Sequence, residues 1–328
     1  MWYCNVILGC INSKLRGFAM AKTLTSESLR GVWALVPTPW DAKDHLDEQV
    51  LRQDVGYLCS AGLTGLYTTA SSGEFFAMDD DEFFCLVSAV VDEARSAGVP
   101  VQVCCSAPNT RGFLRRAEYA VEAGADAIQV ILPYYIQLDL EEAFAFVETA
   151  ARACGDVPLV HYNTGYAKLT FEAEDYRSLK ERVPTLIGTK LPRDEPLWIS
   201  NVCRLVPDVS HFCGEYAFAA NFAGGVRGIY SWLAVTNPRL MVRWYETCAG
   251  GDWNEAIRIQ QLVNRFKLEV KTRWAGKSDA AVNKADAALN PNIHCALRVR
   301  EPYRSCTEED LDRARSWAEH NFPELLEL

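Results

Sequence analysis

No two of the twelve cysteines are spaced C-x-x-C, and the five histidines include no H-E-x-x-H. The commonest zinc and dithiol signatures are therefore missing. Cys104 and Cys105 are adjacent and several others sit in apolar stretches, a usage that fits reduced, buried thiols of a cytoplasmic protein better than a disulfide framework. No structural metal is expected. The chain also lacks any Lys/Arg cluster interleaved with aromatics. Its 33 basic residues stand against 43 acidic ones, and the net charge of -10 argues against nucleic acid or an anionic membrane as the main partner. No apolar run approaches the roughly 20 residues that cross a bilayer. No G-x-G-x-x-G follows the first strand candidate, which lowers an open-sheet dinucleotide-binding reading.

The first stretch, "MWYCNVILGCINSKLRGFAM", is apolar only briefly, and its basic Lys14 and Arg16 follow the apolar part instead of preceding it. That order is wrong for a secretory signal. A basic stretch without acids also fits a mitochondrial transit peptide, but a disordered extension over residues 1–28 is the plainer reading, with a cytoplasmic location.

From Gly31 onward, short apolar runs alternate with amphipathic, helix-length ones. The strand candidates are 31–37, 62–70, 99–105, 126–132, 157–162, 185–190, 209–214 and 224–230. They are apolar without strict alternation, as strands are when helices cover the sheet. Helices are expected over 47–60, from the acidic "MDDDEF" onward, and over 110–123, 141–154, 172–182 and 194–205. A short helix follows the seventh strand, and another starts near Asn237. Eight βα units predict a (β/α)8 TIM barrel over 29–250, with a doubly wound open sheet as the alternative. Residues 251–328 lack strand signals and read as a C-terminal helical extension.

In such a barrel the reacting groups sit at the C-terminal ends of the strands. Those ends are "TTASSGEFF", "LPYYIQ", "HYNTGY", "TLIGTK" and "GIYSW". Period-two parity puts Leu186, Gly188 and Lys190 on one face and pairs Tyr162 with Val160 on the neighbouring strand. Lys190 and Tyr162 then point inward at the mouth, with Gly188 leaving room beneath the lysine, while His161 and Asn163 face the helices. A lysine in an apolar mouth without an acidic partner is expected to have a lowered pKa, which suits a Schiff-base nucleophile. A rim lysine capping a strand is the plainer alternative, and "SSGE" alone reads equally as a helix cap. "AGGVRG" reads as a phosphate loop or, more simply, a tight turn.

Taken in order, "VPTPWD", "ASSGEF", "PYY", "HYN", "GTK" and "GGVRGIYS" resemble the dihydrodipicolinate synthase / N-acetylneuraminate lyase family of class I pyruvate-type aldolases. The resemblance runs from about Gly31 to Pro238. It implies Lys190 as the Schiff-base lysine, Tyr162 as the proton-moving phenol, and Ser71 and Ser72 with Gly73 as the carboxylate loop, with Ser72 in the proton relay. Tyr135 resembles a tyrosine that several members supply from a neighbouring subunit, implying a homodimer or homotetramer. Tyr230 matches a residue whose backbone carbonyl lines the pocket. No cofactor is implied, because the iminium itself is the electron sink.

Four departures qualify the resemblance. Ala70 replaces a glycine of the carboxylate loop. Gly165 replaces a proline. Ala167 stands where dihydrodipicolinate synthases carry an arginine, and Lys168 beside it lacks that bidentate geometry. "KLPRD" replaces the usual acid after the lysine. "LDLEEAFAFV" and "LRVREPYRSCTEEDLDRARSW" are more similar to the hydratase-aldolase branch. The expected activity is a Schiff-base-forming lyase on a 2-oxo acid. The alternatives are a 2-keto-3-deoxy sugar-acid aldolase or dehydratase, a dihydrodipicolinate synthase, or a barrel that binds a keto acid without turning it over.

Overall fold

The computed structural model describes residues 24–274 and 276–328, so most of the expected N-terminal extension lies outside the described residues. Residues 24–28, assigned from sequence to that disordered extension, are folded against the barrel instead. Leu24 is buried, and the Ser28 hydroxyl accepts from the Thr25 N–H.

Eight parallel strands close in sequence order: β1 (Gly31–Leu35), β2 (Gly65–Thr68), β3 (Val101–Cys104), β4 (Ala127–Val130), β5 (Leu159–Tyr162), β6 (Leu186–Lys190), β7 (Ser210–Cys213) and β8 (Gly228–Ser231). The last strand pairs with the first, Gly31 beside Gly228 and Trp33 beside Tyr230. This is the TIM barrel, not the open sheet. Among all strand residues only Tyr162 and Lys190 fall short of full burial. A barrel interior filled by side chains exposes residues only at its mouth. That is where these two lie.

Helices α1 (Glu48–Ser60), α2 (Asp80–Ala97), α3 (Thr110–Ala123), α4 (Leu140–Cys154), α5 (Ala173–Arg182), α6 (Pro196–Leu205), α7 (Phe218–Ala223), α8 (Leu233–Thr236) and α9 (Pro238–Gly250) form the outer layer. Their starts are written locally. Asp79 and Asp139 each make a capping box with an acid three residues on, Asn109 and Asn237 cap with their side chains, and Gly98 and Gly124 end helices at positive φ. Among the described residues no helix is long and apolar enough to cross a membrane.

One expectation changes, and one pair of alternatives is decided for the tight turn. A Cβ on Gly188 would stand 2.4 Å from Leu29 Cδ2, so the space left by this glycine is filled by the leucine that enters the barrel bottom. The "AGGVRG" turn precedes β8 and so lies at the opposite end from Lys190. Its Arg227 donates to the Ser26 and Pro207 carbonyls, which is the work of a structural turn.

The C-terminal extension holds α10 (Trp253–Glu269), α11 (Asp279–Ala287) and α12 (Glu308–Asn321). It does more than cap the barrel. Asn283 and Lys284 of α11 reach the loop after β2, and the Arg300 N–H donates to Glu74 Oε2.

Candidate active site

Lys190 ends β6, and the ladder places Tyr162 of β5 directly beside it. The lysine Nζ lies 4.0 Å from the Tyr162 ring centroid, 5.2 Å from that of Tyr67 and 5.7 Å from that of Tyr230. Among the described residues it makes no ion pair with a carboxylate. The expected lowered pKa is not what this surrounding produces. Burial pulls the value down, but the Tyr162 and Tyr67 phenols outweigh it and hold the amine above the ordinary lysine value. Ring faces and phenol oxygens both favour the ammonium. His161 points outward as parity requires, its Nδ1 3.1 Å from Tyr176 Oη, and burial takes its pKa down to about 3.

The loop after β2 is strained at two non-glycine positions, Thr69 at φ 55° and Glu74 at φ 58°. Between them Ser71–Gly73 makes one 3-10 turn. Ala70 itself is extended, at φ -82° and ψ -169°, so its Cβ meets no backbone penalty. The strain falls on its neighbours, which are held from outside. Thr69 Oγ1 donates to the Cys104 carbonyl at 2.8 Å, and Thr38 Oγ1 donates to the Gly73 carbonyl at 2.8 Å. Glu74 and Lys284, both fully buried, pair at 2.5 Å. Strain held in this way is common at functional loops.

A cavity of about 540 Å³ opens above Lys190. Tyr67, Tyr162 and Tyr230 line it, and so does Ser72, whose Oγ accepts from Asn283 Nδ2 at 2.6 Å. Ser71, Gly73 and Tyr135 are not among its lining residues. Tyr135 is 75% exposed, and its carbonyl accepts from Lys168 Nζ at 2.6 Å. Lys168 is thus turned away from the cavity, and the buried Ala167 offers no charge in its place. Tyr230 contributes its buried ring, with its hydroxyl donating to Gln102 Oε1 at 2.6 Å. "LPRD" forms part of the wall: Leu191 is buried, and Arg193 pairs with Glu172 while lying over Trp198.

The outer wall is mixed. Tyr166, Tyr216, Trp232 and Trp274 supply ring faces, while Lys267, Lys271, Lys277 and Asp279 come from the C-terminal extension. Lys271 sits over Trp232, 3.1 Å from its ring centroid, and pairs with buried Asp286 at 2.5 Å. Tyr166 Oη donates to Asp279 at 3.0 Å. Glu215, just after β7, is raised to about 7 by burial, and its Oε1 accepts from the Trp232 N–H at 2.7 Å. Tyr67, Glu215 and Asn283 escaped the sequence reading. The parity rule that found Lys190 also selects Tyr67 in "GLYTT". Glu215 follows a strand end, but Asn283 has no local signal. A second depression of about 610 Å³, around Leu24, Arg30 and Arg95, lies at the far end of the barrel, away from Lys190.

The family model described as "Dihydrodipicolinate synthetase family" matches residues 28–320. An uncharacterised DapA-like lyase of Halobacterium salinarum is 29% identical, with 86% of this chain and 90% of that protein covered. A trans-O-hydroxybenzylidenepyruvate hydratase-aldolase of Sphingobium xenophagum is 25% identical, covering 92% and 97%. Among solved structures, a sialic acid aldolase of Ruminococcus gnavus superposes with a TM-score of 0.83 at 20% identity, covering 92% and 99%.

Proposed function

Because the chain belongs to the dihydrodipicolinate synthetase family, we propose that it is a lyase that binds a 2-oxo acid as a Schiff base on Lys190 and releases pyruvate. The observation that carries this reading is the pairing of Lys190 with Tyr162 at the strand ends, where both line the cavity.

The amine first loses its proton. Its nitrogen then attacks C2, the carbonyl electron pair moves to oxygen, and that oxygen is protonated and leaves as water. The iminium withdraws electrons from C3, so the C3–C4 bond breaks, its electron pair forming the enamine. The C4 hydroxyl proton leaves at the same time, giving an aldehyde. Protonation at C3 and hydrolysis release pyruvate. Tyr162 is assigned these protons; its ring beside Nζ and its position in the cavity wall support the assignment. Ser71, Ser72 and Gly73 are assigned the substrate carboxylate; of the three, Ser72 lines the cavity, and its hydroxyl supports the assignment. If instead a C3 proton leaves to give the enamine, whose electron pair then expels the protonated C4 hydroxyl as water, the same centre is a dehydratase.

The ring faces of Tyr166, Tyr216, Trp232 and Trp274 suit an aromatic aldehyde, as in a hydratase-aldolase. The lysines, Asp279 and Asn283 on the same wall favour a second reading, a 2-keto-3-deoxy sugar acid. Tyr135, exposed and outside its own cavity, is assigned to the mouth of a neighbouring subunit in a homodimer or homotetramer. Light scattering of the full chain tests the assembly.

The deciding experiment incubates the protein with pyruvate, reduces with borohydride and maps the adduct by mass spectrometry. A pyruvyl adduct on Lys190 is expected. A folded protein without one excludes the Schiff-base reading. A panel of aromatic and polyhydroxylated aldehydes then separates the two substrate classes by condensation rate.

A further inference from the structure

The barrel interior near Lys190 is unusually polar. Gln102 of β3 and Gln129 of β4 are fully buried, and Gln129 Nε2 donates to Gln102 Oε1 at 2.9 Å. Tyr230 of β8 donates to the same oxygen, and the Tyr67 ring packs edge-on against Tyr230 with centroids 5.1 Å apart. Val, Ile and Leu ordinarily fill such layers, because buried polar groups are costly unless partnered. Here the polar layer supports a phenol.

Tyr67 stands on β2, four strands from β6 in either direction around the closed barrel, so it faces Lys190 from the opposite wall. It is 3% exposed, yet lines the cavity, and Nζ lies 5.2 Å from its ring centroid. We propose that Tyr67 is a second phenol of the reacting centre, a positioning residue that draws the Lys190 ammonium across the barrel and sets the pH at which the amine becomes nucleophilic. The inference rests on Lys190 being the nucleophile.

The division of labour follows from placement. Tyr162 adjoins Lys190 along the sheet, where a proton must pass between substrate and amine. Tyr67 approaches from the opposite wall, across the barrel interior. Burial raises the Tyr67 phenol to about 12, the nearby lysine notwithstanding. It therefore stays a neutral hydroxyl and acts on the amine as a dipole and a ring face. Removing the hydroxyl leaves burial less opposed, so the ammonium loses its proton more easily.

The test measures the rate of pyruvyl-lysine formation, trapped with cyanoborohydride and mapped to Lys190, from pH 6 to about pH 10. Tyr67→Phe keeps the ring and loses the oxygen. Its rising profile is expected to move to lower pH by about one unit, the scale of one hydrogen bond to a charged group. Tyr67→Leu loses both and moves it further. 3-Fluorotyrosine at position 67 leaves the packing intact and gives a smaller shift in the same direction, which keeps the test open if Tyr67→Phe folds poorly. A profile superimposed on wild type overturns the proposal. So does a rate lowered by the same factor at every pH, because packing alone would produce that. Absence of any Lys190 adduct in wild type overturns the nucleophile assignment instead, a distinct outcome.

Discussion

Asn283 donates a 2.6 Å hydrogen bond to Ser72 across 211 positions of the chain, joining the C-terminal extension to the loop assigned to the substrate carboxylate. The bond fixes the Ser72 hydroxyl with its proton free to point elsewhere. Asn283→Ala is expected to lower kcat/KM for pyruvate release about 10-fold to 100-fold, the equivalent of roughly 1–3 kcal/mol for a lost hydrogen bond. Steady-state kinetics check this, and a value within twofold of wild type would show that Ser72 needs no such support.

Tyr162→Phe keeps the ring face against Lys190 and removes the only proton-carrying atom of that side chain. Turnover should fall by about 10²–10⁴, the usual worth of a positioned acid–base group. The trapped Lys190 adduct should still form, though slowly. Coupled detection of pyruvate together with adduct mass separates the two effects.

Glu74 and Lys284 form a fully buried ion pair that holds the strained end of the loop after β2. Lys284→Met leaves the Glu74 carboxylate buried without its cation, at a cost of about 3–5 kcal/mol. The double variant Glu74→Gln/Lys284→Met should recover part of that loss, because no uncompensated charge remains. Chemical unfolding midpoints measure both. Equal loss in the single and double variants would contradict the pairing argument.

Two sets of buried groups oppose each other as pH changes. Burial takes His161 down to about 3 and His211 to about 4. Below the unfolded histidine value of about 6.5 the unfolded chain binds more protons, so their contribution is lost as pH falls. Burial takes Glu215 up to about 7 and Asp286 to about 6. Their contribution is present at acid pH and lost as pH rises through those values. Between pH 4.5 and 6.5, Glu215→Gln should therefore make Tm rise more steeply with pH than in wild type. His161→Gln should tilt it the other way. Thermal melts across this window decide, and parallel curves would remove both groups from the balance.

The strand order was readable because parallel strands covered by helices become continuous apolar runs, and acidic caps mark where helices begin. The strand ends were less so. The run read as 62–70 pairs only over Gly65–Thr68, since Thr69 turns into the left-handed region to start the loop after β2. Lys190 and Tyr162 were found by side-chain parity, a property of any strand. Parity does not give the amine's protonation, because that depends on how Tyr162 beside it and Tyr67 across the barrel together outweigh burial.

The chain's own pattern of apolar runs, caps and strand-end side chains was enough to determine an eight-unit barrel and to put Lys190 and Tyr162 at its mouth. Such features depend on neighbours a few residues apart. Closure of the barrel decided what faces the amine, because it brings Tyr67 and Tyr230 within 6 Å of Nζ from strands remote in sequence. Docking of the C-terminal extension decided what holds the loop, by carrying Asn283 and Lys284 to Ser72 and Glu74. Electrostatic environment is a sum over spatial neighbours, and only the folded chain chooses them.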